Sequence, residues 1–128
     1  VTDGYMQDTS LGLYNTTNIW WNPSDFVMVN VDLGQPRLIV GAIIMVHNND
    51  QYILEYRDPV TKAWSLLWDV PIVDPAPDPG WLWPVRPNHY DWTELYRVGP
   101  LYADRVRIYP RSNNTAWVGV NEIQIYGY

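Results

Sequence analysis

Trp81 to Trp92 reads WLWPVRPNHYDW and gathers three of the chain's eight tryptophans, a tyrosine, an arginine and one of its two histidines. Such side chains stack on apolar surfaces and offer polar edges for hydrogen bonding, which is the chemistry of recognition. Prolines at 75, 77, 79, 84 and 87 fix φ and remove backbone donors, so the segment can be neither a regular helix nor a central strand. It reads as a stiff aromatic loop. Loops run over the surface, where large aromatics either cover the chain's own core or meet a partner, so this stretch is a binding-site candidate.

Catalytic constellations are missing. The sequence contains no GxSxG, HExxH, P-loop or GxGxxG string, and two histidines with no cysteine leave almost no room for a His-based metal site or a thiol nucleophile. A carboxylate pair for glycoside hydrolysis could be drawn from 14 acids, but those acids fall mostly in turns. Lacking cysteine, the chain has no disulfide framework.

The 128 residues fit one domain, 1–128, long enough to bury a hydrophobic core. Eight basic against 14 acidic residues give a net charge of −6, which disfavours nucleic acid and anionic membrane surfaces. The longest apolar run, Leu38 to Val46, is far below the roughly 20 residues of a membrane helix, so no membrane insertion is expected. The sequence opens at VTDG, so any secretion signal is expected to have been removed or to lie in a larger parent protein. Eighteen tyrosines and tryptophans against one phenylalanine mean that most rings carry a hydrogen-bonding tip, which suits wet, half-buried surfaces.

The elements that must position these residues are strands. Period-2 patterning places Val27, Val29, Val31 and Leu33 on one face, as it does Val106 with Ile108 and Ile123 with Ile125. Leu38 to Val46 is apolar on both faces, as expected of a central strand, and Gln51 to Arg57 with Ala63 to Trp68 flank a DPVTK turn like a hairpin. Turn signals at 22–25, 34–36, 47–50 and 111–114 separate the strands. The pattern predicts an all-β, antiparallel sandwich or barrel, with 70–92 as a long Pro/Trp-rich loop insertion within it.

TDG at 2–4, Trp20 upstream of a strand, VDLGQP at 31–36, LEYRDPVTKAW at 54–64, ADRVRIYP at 103–110 and VNEIQIYG at 120–127 occur in an order that covers the whole chain. Together they resemble the F5/8 type C, or discoidin-like, domain. The resemblance implies a β-sandwich jelly roll of galactose-binding-like topology, with ligand loops at one end. Bacterial members are often carbohydrate-binding modules of family 32 type, attached to secreted enzymes. The spacing from Asp3-Gly4 to Trp20 and the 70–92 insertion depart from the family pattern, and both departures fall in loops.

Carbohydrate recognition needs an aromatic face for the sugar's C–H patch and planar polar groups for its hydroxyls. The family's ligand-loop positions are held here by Trp20, Trp21 and Asn22, by His47, Asn48 and Asn49, and by Arg111, Asn113, Asn114 and Trp117. The insertion adds Trp81, Trp83, Arg86, His89, Tyr90 and Trp92. Trp20, Trp64 and Trp117 read as core residues. His47 suits a structural histidine as well as a ligand contact, and Asn48 suits a turn. Arg86 and Arg111 could pair with carboxylate or sulfate on an acidic glycan.

The resemblance also implies a structural calcium near the termini, for which Asp3, Asp8 and Glu122 are the expected ligands; a solvated acidic cluster is the alternative. The expected function is a non-catalytic carbohydrate-binding module or lectin domain, not an enzyme, gripping a glycan or polysaccharide. Its setting would be a multidomain protein, outside the cell or at the cell surface. A protein or cell-surface adhesion domain using the same aromatic loops as an interface is the competing reading.

Overall fold

The computed structural model describes residues 19–22, 27–47, 50–72, 82–85, 96–112 and 118–128. Its strands are β1 (Ile19–Trp21), β2 (Val29–His47), β3 (Gln51–Arg57), β4 (Trp64–Val70), β5 (Leu82–Val85), β6 (Tyr96–Ser112) and β7 (Val118–Gly127). All pairings are antiparallel. No helix occurs among the described residues.

Two long strands build the sandwich. The first half of β2 pairs with the second half of β6 (Val31↔Val106), which pairs with β3 (Leu54↔Ile108), and β3 pairs with β4. This is the first layer. The second half of β2 pairs with β7 (Ile44↔Ile123) on one side, and on the other with the start of β6 (Ala42↔Tyr96) and with β5 (Ile44↔Val85). β1 extends this second layer beyond β7. Register shifts between Asp32 and Arg37 and between Ile39 and Gly41 allow β2 to leave one layer and enter the other, the usual way a strand turns a sandwich corner.

The core lies between the layers. Tyr52, Leu54, Trp68, Val106 and Ile108 face Ile39, Ala42, Ile44, Val120 and Ile123 in one buried cluster. Trp68 stacks on Tyr96 with ring centroids 4.3 Å apart. A polar pin crosses the core: the Tyr52 hydroxyl donates to the Gly119 carbonyl at 3.0 Å and accepts from the Gly119 N–H at 3.1 Å. Tyr52 belongs to the first layer and Gly119 to the second, so these bonds tie the sheets together.

The β3–β4 hairpin closes the end of the first layer away from the β2–β3 connection. Asp58 accepts from the Val60 and Thr61 backbone N–H groups at 2.8 and 2.7 Å, and Lys62 takes the left-handed conformation (φ 62°) that the turn demands. These N–H groups, Thr61 first, hold the Asp58 carboxyl below its ordinary range. Arg57 pairs Asp104 through both carboxylate oxygens at 2.8 and 2.9 Å, and Lys62 adds a contact at 2.9 Å. The Arg57 hydrogen bond, followed by that of Lys62, holds Asp104 well below the usual carboxylate range.

The sandwich, the hairpin at DPVTK and the inward positions Val106, Ile108, Ile123 and Ile125 agree with the sequence reading. The all-apolar run is also as expected, since Gly41 to Val46 is buried throughout. Three local expectations need correction. Residues 34–36 do not separate two strands: both flanks pair with β6, so the chain bulges without reversing, with Gly34 at φ 77° and its N–H held by Asp32 at 2.9 Å. Val27 precedes β2 and is exposed, unlike Val29, Val31 and Leu33, which pack against the core. Trp64 is not a core residue: its ring lies 4.1 Å from the Arg107 guanidinium, and it is half-buried.

Candidate functional site

Antiparallel register fixes which loops share an end of the sandwich. β1 ends at Trp21 opposite Val118, where β7 begins. β2 ends at His47 opposite Leu82, where β5 begins. β3 begins at Gln51 opposite Ser112, where β6 ends, and Tyr52 pairs with Val70, where β4 ends. The strand ends at Trp21, His47, Val70 and Ser112 therefore lie at one end of the sandwich.

The insertion is anchored there by backbone pairing. β5 lies along the last residues of β2, with Trp83 opposite Val46 and Leu82 opposite His47. Among the described residues β5 pairs with β2 alone, and Pro84, opposite Met45, is tolerated in such a strand because its missing donor need not serve a second neighbour. The segment expected to be loop throughout thus contains a short strand at 82–85, still not a central one. Trp83 stands beside the end of β2 as a consequence.

Trp21, His47 and Trp83 are accordingly brought to one end by their backbones. Asn48, Trp81, Arg86, His89, Trp92 and Asn113 lie outside the described residues, as do Asn49, Tyr90, Asn114 and Trp117. Of the expected metal ligands, Asp3 and Asp8 lie outside them too, whereas Glu122 is a carboxylate with 1% exposure on β7. Its register partner is Met45, so it stands on the outer face of the second layer, away from the core cluster. Among the described residues no group of three metal-binding side chains occurs.

A polar cluster that the sequence reading did not assemble stands at the same end. Arg111 bonds Asp69 at 2.6 Å, and Gln51 donates to the other oxygen of that carboxylate at 2.8 Å. Arg111 therefore meets a ligand as half of an exposed ion pair, which weakens its use as a counter-ion to an acidic glycan. Asp50, beside Gln51 in sequence, is fully buried. The hairpin register, which sets residue 51 diagonal to residue 69, is the signal that pairs them.

Trp64 offers no platform of the same kind. Arg107 covers its ring and is itself held by Glu55 at 2.6 Å, so the stacking face is already occupied by the protein's own cation. A cavity of about 250 Å³, lined by Leu33, Arg37, Ile39, Ile125, Gly127 and Tyr128, lies on the flank between β2 and β7, away from the loop end.

The sequence matches no protein-family model and no curated protein. Solved structures match by fold. A Ruminococcus gnavus GH29 fucosidase in complex with fucose is 19% identical over 77% of this chain, with a TM-score of 0.52, and the chain spans only 17% of that enzyme. The CBM32 of AlyQ in complex with 4,5-unsaturated mannuronic acid is 16% identical over 98% of this chain and 81% of its own, with a TM-score of 0.59. The family 32 module of Clostridium perfringens NanJ in complex with galactose is 16% identical over 91% of this chain and 82% of its own, with a TM-score of 0.50. The chain has the discoidin-like β-sandwich fold of family 32 carbohydrate-binding modules.

Proposed function

We propose that the chain is a non-catalytic carbohydrate-binding module whose loop end grips a glycan, carried by a larger protein outside the cell or at its surface. The observation that supports this most is the pairing of β5 with the end of β2, which sets the backbone of Trp83 opposite Val46, one residue before His47, at the end where the backbone of β1 delivers Trp21. The strand ends and loop sequences at this end supply tryptophan, histidine and asparagine, the residue types that sugar recognition requires. Modules of the same fold have been solved with mannuronate-type and galactose ligands, and the larger fucosidase with fucose. Docking of such a module raises the local concentration of an attached enzyme at its substrate.

The test is affinity electrophoresis of the full chain through gels containing alginate, galactan or fucoidan. Retardation by one of them, lost in Trp83→Ala with an unchanged melting temperature, is the expected result. Free migration through all three, together with capture of a deglycosylated protein partner, would replace this reading with the adhesion alternative.

The calcium expectation remains part of this proposal. Glu122 is a buried carboxylate at the position the resemblance assigns to a ligand, and Asp3 and Asp8 are the other oxygen donors it would recruit. A calcium ion held there would cross-link the start of the chain to β7.

A further inference from the structure

The outer face of the second layer carries a tyrosine-walled notch far from the loop end. Register partners in an antiparallel pair share a face. Leu38 is partnered by Tyr102 of β6 and exchanges both backbone hydrogen bonds with Tyr128, at 3.0 and 2.9 Å. Beyond the register shift between Ile39 and Gly41, Gly41 is partnered by Arg97 of β6 and by Tyr126 of β7. The middle strand thus offers Leu38 and a side-chain-free glycine, while its neighbours raise tyrosines on one bank and a tyrosine and an arginine on the other.

The banks of the notch are open. Tyr128, Tyr102 and Tyr126 are 83%, 62% and 40% exposed, whereas Gly41 beneath them is buried, as are Ile43, Met45 and Glu122 towards the loop end on the same face. The open part is therefore a bounded patch and not a generally uncovered sheet.

We propose that this notch is a second glycan-binding surface, taking a pyranose chain that carries a carboxylate. Four features favour that occupant over a protein. Every ring is a tyrosine, apolar on its face and polar at its tip, which suits a wet sugar better than a dry protein interface. The Tyr126 hydroxyl donates to the Gln124 carbonyl oxygen at 2.6 Å, fixing a planar amide beside the ring, so stacking surface and hydroxyl partner are arranged in advance. The banks lie two strand spacings apart, roughly 9.6 Å, the reach of a disaccharide laid across the strands. Arg97 makes no ion pair with a described residue, which leaves its fork available for bidentate pairing with a carboxylate.

The inference rests on the loop-end reading for ligand class alone and uses none of its residues, so the two can fail separately. The experiment is an amide-resolved NMR titration of the full chain with short oligomannuronate and, as uncharged counterpart, manno-oligosaccharide. Oligomannuronate should shift Arg97, Tyr102, Gln124 and Tyr126. Tyr126→Ala and Tyr102→Ala should each weaken that response about ten-fold, the loss of one stacking ring. Arg97→Gln should abolish the preference for the charged oligomer, and Tyr126→Phe should retain part of the binding. Trp83→Ala should leave these shifts in place and remove only those near His47 and Val118. Silence at the four amides, an unchanged response in the tyrosine variants, or loss of the response in Trp83→Ala would overturn the proposal. So would concentration-dependent self-association through this face, abolished by Tyr102→Ala, without any sugar response.

Discussion

Replacing Tyr52 by phenylalanine removes one oxygen atom and two cross-layer hydrogen bonds while keeping the ring. Tyr52 is completely buried, and its hydroxyl makes two bonds to Gly119, which is buried too. Water cannot replace the lost partner without entering the core. Each backbone group left unmatched costs roughly 1–3 kcal/mol, so with some relaxation the variant should be destabilised by about 2–4 kcal/mol. Gly119 pairs with Trp20 and adjoins Val118, the partner of Trp21, so looser anchoring of β7 should also loosen β1 at the loop end. Urea unfolding of the two proteins reads the stability change directly, with Tyr102→Phe, an exposed tyrosine, as the control expected to stay within about 0.5 kcal/mol. A Tyr52→Phe loss no larger than the control's would refute the idea that this pin joins the layers.

Gly127→Ala should destabilise by about 1–3 kcal/mol or abolish folding, because a Cβ there would sit 1.9 Å from the Leu38 carbonyl oxygen; thermal melting checks it. Asp58 and Asp104 titrate lower in the folded chain than in the unfolded one, so they add stability that is fully present above the unfolded carboxylate value near 4 and declines as pH falls below it. Asp104→Asn should therefore flatten the acid limb of a melting-temperature profile between about pH 4 and 2, and an unchanged limb would count against the Arg57–Asp104–Lys62 cluster as its source. Chelation with EDTA should lower the melting temperature if calcium occupies the proposed Asp3, Asp8 and Glu122 site, and Glu122→Gln should remove that sensitivity; identical melting with and without chelator would argue against the ion.

The sandwich was legible because burial on one face writes itself into alternate residues: Val106 and Ile108, Ile123 and Ile125 point inward as their spacing predicts. The central position of Leu38–Val46 was legible for the complementary reason, since a strand covered on both sides cannot alternate. What periodicity does not encode is whether a turn signal reverses the chain. GQP at 34–36 has the composition of a turn, yet β6 pairs with β2 on both sides of it, and the residues bulge out. Trp64 shows a second limit. Its place in a strand suggested core, but it belongs to the outward row with Glu55 and Arg107, and a guanidinium covers its ring as a core would have done. At the loop end the sequence supplied the residue types of Trp21, His47 and Trp83 but not which strand ends share that end. That depends in part on a four-residue strand that carries Pro84 within it, and a proline there argues against a strand. The tyrosine notch was hidden for a similar reason, since Arg97, Tyr102 and Tyr126 become neighbours only through β2.

If both proposed surfaces take glycan, the route of β2 sets how they are related. After its second bulge the strand runs from Gly41, at the floor of the notch, to His47 at the loop end, six residues or roughly 20 Å of extended chain. Between them the outer face is closed over Ile43 and Met45, so a glycan cannot lie continuously along the sheet from one surface to the other. A short oligosaccharide would then occupy one of the two proposed sites, whereas a polymer would loop past the covered stretch or engage through two separate strands. The second contact of a polymer is intramolecular and gains from effective concentration, while that of an oligosaccharide does not. Preference for chain length would arise from the spacing of two weak surfaces on a rigid strand, without either surface having to recognise length itself.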